Sequence, residues 1–340
     1  MVLGRSKQGV LMKKQKFSYW NRSPEALARS PWPTDASNRI FNGYFDPGPF
    51  PAGPPLSKGE QLYTMGSCFA REIEHFLKKG GYGVLSRNDK LLVEMGYIEG
   101  SGGPETGLFN RYNLVSMLQE FKRGAGDSSF DDDSALIAEV SGSFYDLNCH
   151  SKAARPSPGE IGESRRKLLP TVGRFREARA IIITLGLTEC YIHTPSGAVC
   201  NTVPGAVMAR LSSTFEPHVL TYSENLNALE EIHKCIASHH VDGNFYLIVT
   251  VSPVPLTHSF SEEDIVIANN RSKCVLRTVA HEFCATHANV SYFPSFEIVN
   301  YSGRSLAWQD DQIHVRLECV KHVVGVFSKR YLQAPPAGGA

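Results

Sequence analysis

The chain has 340 residues, 42% hydrophobic and 20% charged, the balance of a globular protein with a sizeable core in one large domain or two ordinary ones. Thirty-five Lys and Arg against thirty-four Asp and Glu leave a net charge of +1, so no global field draws nucleic acid, and no such partner is expected. No run approaches the roughly 18 apolar residues of a membrane span, and the N-terminus (MVLGRSKQGVLMKKQKF) lacks the apolar core and cleavage site of a secretory leader, so the expected location is the cytoplasm.

Residues 1–56 are rich in Pro, Ser, Asn and Gly and end in Pro47-Gly-Pro-Phe-Pro-Ala-Gly-Pro-Pro55, which neither helix nor central strand accommodates. They read as an extended arm ahead of a domain over 57–335. The aromatics Trp20, Trp32, Phe41 and Tyr44 predict that this arm docks on the domain. From about residue 60 strands and helices alternate. Gln61–Met65 reads as a short apolar strand. A helix follows from Phe69 to Lys79, with Phe69, Ile73, Phe76 and Leu77 on one face. Residues 113–123 form a second amphipathic helix, and Asp127–Asp133 a solvated loop. Ala180–Leu185 (AIIITL) is a β-branched apolar run suited to a central parallel strand.

Ser223 is read as the cap of a helix reaching His239, and Asn244–Val251 as another buried strand stopped by Ser252-Pro253. A long helix from about Asn269 to His287, a strand at Val290–Phe293 and a last helix from about Val315 to Lys329 complete the pattern. The alternation predicts an α/β fold, a mostly parallel sheet with helices on both faces. The eight cysteines (68, 149, 190, 200, 235, 274, 284, 319) form no C-x-x-C pair and read as reduced, mostly buried fillers. No cluster has metal-ligand spacing, and no metal or other cofactor is expected.

In an open parallel sheet ligands gather beyond the carboxyl ends of the strands, and four motifs belong there. Gly66-Ser67-Cys68-Phe69-Ala70 joins the first strand to the first long helix. Unpaired amides and the positive dipole end at a helix start hold an oxyanion and lower a nucleophile's pKa. The plain structural reading makes Ser67 an N-cap and Cys68 a filler. Asp311-Gln312-Ile313-His314 lies just before the last helix. A carboxylate three residues from a histidine fixes the tautomer by bonding Nδ1, which frees Nε2 to act as a base. The plain reading is a surface loop with a helix cap. Thr184-Leu185-Gly186-Leu187-Thr188 ends the AIIITL strand, where the Gly186 N–H and the Thr188 hydroxyl suit an oxyanion hole, or simply form a βα turn. Val251-Ser252-Pro253-Val254-Pro255 ends the next strand and contributes shape.

Together these residues resemble the GSCFA family, whose name is spelled by residues 66–70. Also similar to the family pattern are Tyr112-Asn113, Cys149-His150-Ser151, the TLG of 184–186, the VTVSPVP of 249–255, Asn270 with Ser272-Lys273, Tyr292-Phe293-Pro294-Ser295-Phe296-Glu297 and the D-x-x-H. The set spans about residues 60–318. The family in turn resembles the SGNH hydrolases, which implies a three-layer α/β/α sandwich with a mostly parallel, flavodoxin-like sheet, and by that resemblance His314 is the base and Asp311 its orienter. Gly186 stands where those hydrolases carry the Gly of Gly-x-Asn, but Thr188 replaces the Asn. Thr188, Asn113 or Asn201 would then supply the missing donor.

A gapless match to Gly-Asp-Ser puts Cys68 at the nucleophile position, and a one-residue shift puts Ser67 there. His150 is either a substrate contact and second acid–base group or a structural histidine bonded to a loop. The resemblance implies an esterase or acyltransferase acting on an acyl group, with a saccharide as its carrier. The alternative is a catalytically silent module that binds a glycan or a partner protein through the same fold.

Overall fold

The computed structural model describes residues 40, 43–48, 50–95, 109–127, 136–149 and 154–333; Trp20, Trp32, Phe41, His150 and the side chain of Cys68 lie outside the described residues. In chain order, β1 (Gln61–Gly66) feeds α1 (Cys68–Lys79), followed by β2 (Gly83–Val84) and α2 (Asp89–Glu94). Next come α3 (Leu114–Ala125), the hairpin β3 (Ile137–Val140) and β4 (Ser143–Asp146), and α4 (Pro158–Val172). The chain re-enters the main sheet at β5 (Ala180–Leu185), then makes an excursion through β6 (Glu189–His193), β7 (Ala198–Cys200), α5 (Gly205–Leu211) and β8 (Phe215–Val219). It continues through α6 (Tyr222–His239), β9 (Tyr246–Val251), α7 (Ile265–Thr286) and β10 (Val290–Tyr292). The helices α8 (Ser295–Tyr301), α9 (Arg304–Ala307) and α10 (Leu317–Tyr331) close the fold.

The central sheet has the order β2-β1-β5-β9-β10 with every pair parallel. Counting only these strands, the order is 2-1-3-4-5, so the winding reverses between β1 and β5. All six residues of β5 and of β9 are buried, which is why both read as unbroken apolar runs. Alternate residues face opposite layers. Tyr63, Met65, Ile181, Ile183, Leu247 and Val249 join the core under α3, α6 and α7. Leu62, Ile182 and Ile248 join the core under α1, α8 and α10 with Phe69, Ile73, Ile298, Val323 and Phe327. This is the expected three-layer sandwich. Among the described residues no helix is long and apolar enough to cross a membrane.

Helix ends follow local chemistry, and three starts differ from the sequence expectation. The α6 start is capped by Thr221, whose hydroxyl and the Glu224 carboxylate form a reciprocal capping box, so Ser223 lies inside the first turn. Asp264 caps α7 through the Val266 N–H at 2.8 Å, one turn earlier than read. Because Val266 and Ile267 are exposed, the apolar periodicity is hidden there. The last helix begins at Leu317, after the loop that carries the dyad.

The arm docks along its described part. Tyr44 stacks on His322 with centroids 5.1 Å apart, and the Phe45 N–H donates to Ser302 Oγ at 2.8 Å. Phe50 packs between Phe293 and Tyr331. Leu56, 2% exposed, donates its N–H to Tyr331 O at 2.6 Å and accepts from Gln333 N at 2.9 Å. Burying an aromatic or leucine side chain stabilises by about 1.5–3 kcal/mol. Deleting residues 1–56 is therefore expected to lower the melting temperature by about 5–10 °C and to raise apolar-dye binding. A thermal melt and dye titration check this; an unchanged melt with no added dye binding contradicts a structural role for the arm.

Candidate functional site

The winding reverses between β1 and β5, the place where an open parallel sheet offers a crevice beyond its carboxyl ends, and the Gly66–Cys68 turn follows β1 there. Gly66 has φ +151°, and a Cβ there would lie 2.6 Å from both the Cβ and the O of Thr184, so only glycine fits between β1 and β5. Its carbonyl accepts the Arg111 N–H at 2.8 Å, which brings the 110–113 segment alongside. Ser67 is the N-cap residue of α1 but makes no side-chain cap bond. Instead its Oγ donates to Ser252 Oγ at 3.1 Å, reaching past the end of β5 to the residue after β9. Ser67 is 3% exposed and Ser252 1%, so this bond is sealed from water. The Val251–Pro255 motif thus supplies an acceptor for Ser67 as well as shape.

The turn after β5 is clamped one peptide at a time. A Cβ on Gly186 would lie 2.4 Å from Tyr112 O, so this residue too must lack a side chain. Leu185 O accepts Ser252 N–H at 2.8 Å and the Leu187 N–H donates to Tyr112 O at 2.9 Å. Two neighbouring side chains of α7 complete the clamp. Lys273 Nζ donates to Gly186 O at 2.6 Å, and Ser272 Oγ accepts the Thr188 N–H at 3.0 Å. Among the described residues the buried Gly186 N–H has no hydrogen-bond acceptor. Orphaned buried amides are rare in folded proteins, and this one stands at the crevice.

Asn113 and Asn201, the candidate substitutes for the missing amide donor, are both buried and both tied to backbone. Asn113 Oδ1 accepts the Ser116 N–H at 2.8 Å as the α3 cap, and its Nδ2 donates to Cys200 O at 3.1 Å. Asn201 Oδ1 accepts Tyr112 N–H at 2.9 Å, and Nδ2 donates to Asn110 O at 2.8 Å. Their shared effect is to hold Tyr112, and so its carbonyl, against Gly186. Thr188 is 1% exposed, with its backbone N–H and C=O both bonded.

Beneath the crevice α1 is pinned to β1 by a buried ion pair. Glu74 Oε1 accepts from Arg71 Nη1 at 2.7 Å, from Thr64 Oγ1 at 2.5 Å and from Ser86 Oγ, with Arg71 and Glu74 at 1% and 0% exposure. Removing one partner of such a pair leaves an uncompensated buried charge, so the start of α1 is held rigidly. Arg111 pairs with Glu120 at 2.7 Å beside it. A void of about 10 Å³, room for about one water, lies between Arg111, Glu120, Ser86 and β1.

Asp311 and His314 are hydrogen-bonded to each other. His314 Nδ1 and Asp311 Oδ2 are 2.5 Å apart, and Asp311 Oδ1 accepts the backbone N–H groups of Ile313 and His314 at 2.9 and 3.0 Å. These bonds, led by the one from the imidazole, hold the Asp311 carboxyl down at about 2. The loop is braced by Arg304 Nε to Gln312 Oε1 at 2.7 Å, and Gln312 takes φ +59° to close the turn. Asp310 points elsewhere and pairs with Arg316 at 2.8 Å. His314 Nε2 has no partner among the described residues, and its side chain is 65% exposed. No hydrogen bond joins His314 to Ser67 among those residues.

In the sequence Ser272 and Lys273 stand out only within the family resemblance, and Ser252 shows no polar role. The missed signal was the pattern of α7. Its inward stripe is Ala268, Ser272, Lys273, Leu276, Val279, Ala280 and Phe283, and two polar residues interrupt it where it meets the strand ends. Among the described residues no group of three or more His, Cys, Asp or Glu is placed to hold a metal ion. The family model described as the GSCFA family matches residues 61–327 of the chain. No curated protein matches it.

Proposed function

The chain belongs to the GSCFA family, and from that premise we propose that it is an acyl-transfer enzyme, an ester hydrolase or acyltransferase whose acyl group is carried by an alcohol such as a saccharide hydroxyl. The observation that carries the reading is the Asp311–His314 pair, with Nδ1 tied to the carboxylate and Nε2 free. It lies on the loop before the last helix of a doubly wound sheet, as in the hydrolases the chain resembles. The orphaned Gly186 N–H gives that base an oxyanion site to work with.

Cys68 is the nucleophile we favour, because the Ser67 hydroxyl is buried and already donates to Ser252. Its sulfur bonds to the ester carbonyl carbon while its proton passes to His314 Nε2. The carbonyl π electrons move onto oxygen, which the Gly186 N–H and the first amides of α1 stabilise. Collapse of the tetrahedral intermediate expels the alkoxide, which takes the proton from His314. Water or a second alcohol then attacks the acyl-enzyme with His314 again as base, releasing the acid or a new ester. The seven described cysteines are all unpaired, which supports a reducing, cytoplasmic setting.

Intact-mass measurement after a thiol reagent at limiting dose, and separately after a serine-directed fluorophosphonate, tests the assignment. Burial pushes the Cys190, Cys200, Cys284 and Cys319 thiols up to about 12, so they remain protonated and slow. Cys274 is exposed and is replaced by Ser for the experiment. One rapid thiol adduct mapped to Cys68, with no fluorophosphonate adduct, is the expected result. The absence of any rapid adduct favours the second reading, a silent binding module, for which the observation is that His314 makes no bond to Ser67 and stands largely in water.

A further inference from the structure

Lys273 is a costly residue for its place. It sits on the inward stripe of α7, between Ala268 and Leu276, and is 2% exposed. Burying an ammonium group costs several kcal/mol, and a leucine or methionine would fill the same position without that penalty. Its Nζ donates to a backbone atom of this turn, the Gly186 carbonyl, at 2.6 Å. The residue before it, Ser272, bonds the Thr188 N–H. Between them they fix the peptides on the C-terminal side of Gly186, while Ser252 and Leu185 fix the one on its N-terminal side. In this run the Gly186 N–H is the donor left without an acceptor among the described residues.

We propose that Lys273, with Ser272, is a positioning residue of the oxyanion site: its buried ammonium locks the Gly186 turn so that the free N–H faces the developing oxyanion, and adds positive potential there. The proposal rests on the acyl-transfer reading above. The clamp supplies no donor of its own; it fixes the backbone donor of a site in which Thr188 stands where Gly-x-Asn carries its amide. A preorganised donor is effective because it needs no reorganisation as charge develops. A turn fixed at Gly186 O, Leu187 N and Thr188 N has little freedom left to reorganise.

The test compares p-nitrophenyl acetate with p-nitrophenyl thionoacetate, whose sulfur is a poor hydrogen-bond acceptor. An intact oxyanion site raises the oxo-to-thiono ratio of kcat/KM, and a merely structural residue leaves that ratio alone. Lys273→Met is expected to lower the ratio about tenfold to hundredfold, within the range for loss of an oxyanion donor. Ser272→Ala is expected to lower it by a smaller factor in the same direction. His314→Ala should slow both esters together and leave the ratio unchanged.

A folded Lys273→Met enzyme with the wild-type ratio overturns the proposal, even if both rates fall. Should Lys273→Met fail to fold, an unchanged ratio in folded Ser272→Ala overturns it instead. Wild-type protein that turns over neither ester removes the acyl-transfer reading itself and this proposal with it.

Discussion

His314→Ala is expected to lower turnover of an activated ester by about 10²–10⁴-fold, the usual contribution of a general base, while leaving the melting temperature nearly unchanged. The two halves of the expectation have separate causes. The imidazole is 65% exposed and, among the described residues, its ring bonds only to Asp311, so its loss removes little packing. With Nδ1 held by Asp311, Nε2 is the proton acceptor of the pair, and alanine offers none. Turnover of p-nitrophenyl acetate alongside a thermal melt decides the matter. Full activity in a folded His314→Ala protein removes the base from the mechanism.

Asp311→Asn is expected to lose most of the same factor, because the imidazole loses the carboxylate that sets its tautomer. Asp310→Asn should lose little, since Asp310 pairs with Arg316 outside the dyad. The pH dependence follows from the direction of the Asp311 shift. Its carboxyl is held below the ordinary 3.8, at about 2. The stabilisation this represents is fully present above the unfolded value and is lost only as the pH falls through about 2. An acid limb of activity above about pH 4 is therefore not the titration of Asp311.

How much of this was legible in the sequence depends on how each signal is encoded. β5 was readable to the residue because all six positions are buried on both faces, which leaves an uninterrupted β-branched run. The start of α7 was not, because its first turn carries exposed Val266 and Ile267 where periodicity expects polar residues. The β6–β7–β8 sheet escaped notice for a similar reason: β8 reads buried only at Phe215, so no clean alternation marks it. The dyad was legible because three residues of spacing suffice to close it. The clamp on Gly186 was not. It joins Tyr112, Ser252 and the adjacent Ser272 and Lys273 from three separate segments, and only the folded chain brings those together. The choice between Ser67 and Cys68, even on motif alignment, shifts once the Ser67 hydroxyl is seen to face Ser252.

That shift makes the second large effect a prediction about two adjacent residues. Cys68→Ala is expected to abolish turnover and the rapid alkylation together, because a helix start favours the thiolate form of a cysteine nucleophile placed there. Ser67→Ala should be the milder change. It removes a buried hydroxyl-to-hydroxyl bond worth about 0.5–1.5 kcal/mol and frees Ser252, so a small drop in melting temperature and a modest fall in kcat are expected. A serine nucleophile would reverse the order. Ser67→Ala would then stop turnover and fluorophosphonate labelling, and Cys68→Ala would behave as a small packing defect. Kinetics of both variants on an ester and a thioester, with intact-mass labelling of each, separate the cases. If neither substitution alters turnover of any ester or thioester that the wild-type protein cleaves, the nucleophile lies elsewhere and the acyl-enzyme at this turn is wrong. If the wild-type protein cleaves none, the acyl-transfer reading fails and the binding-module reading takes its place.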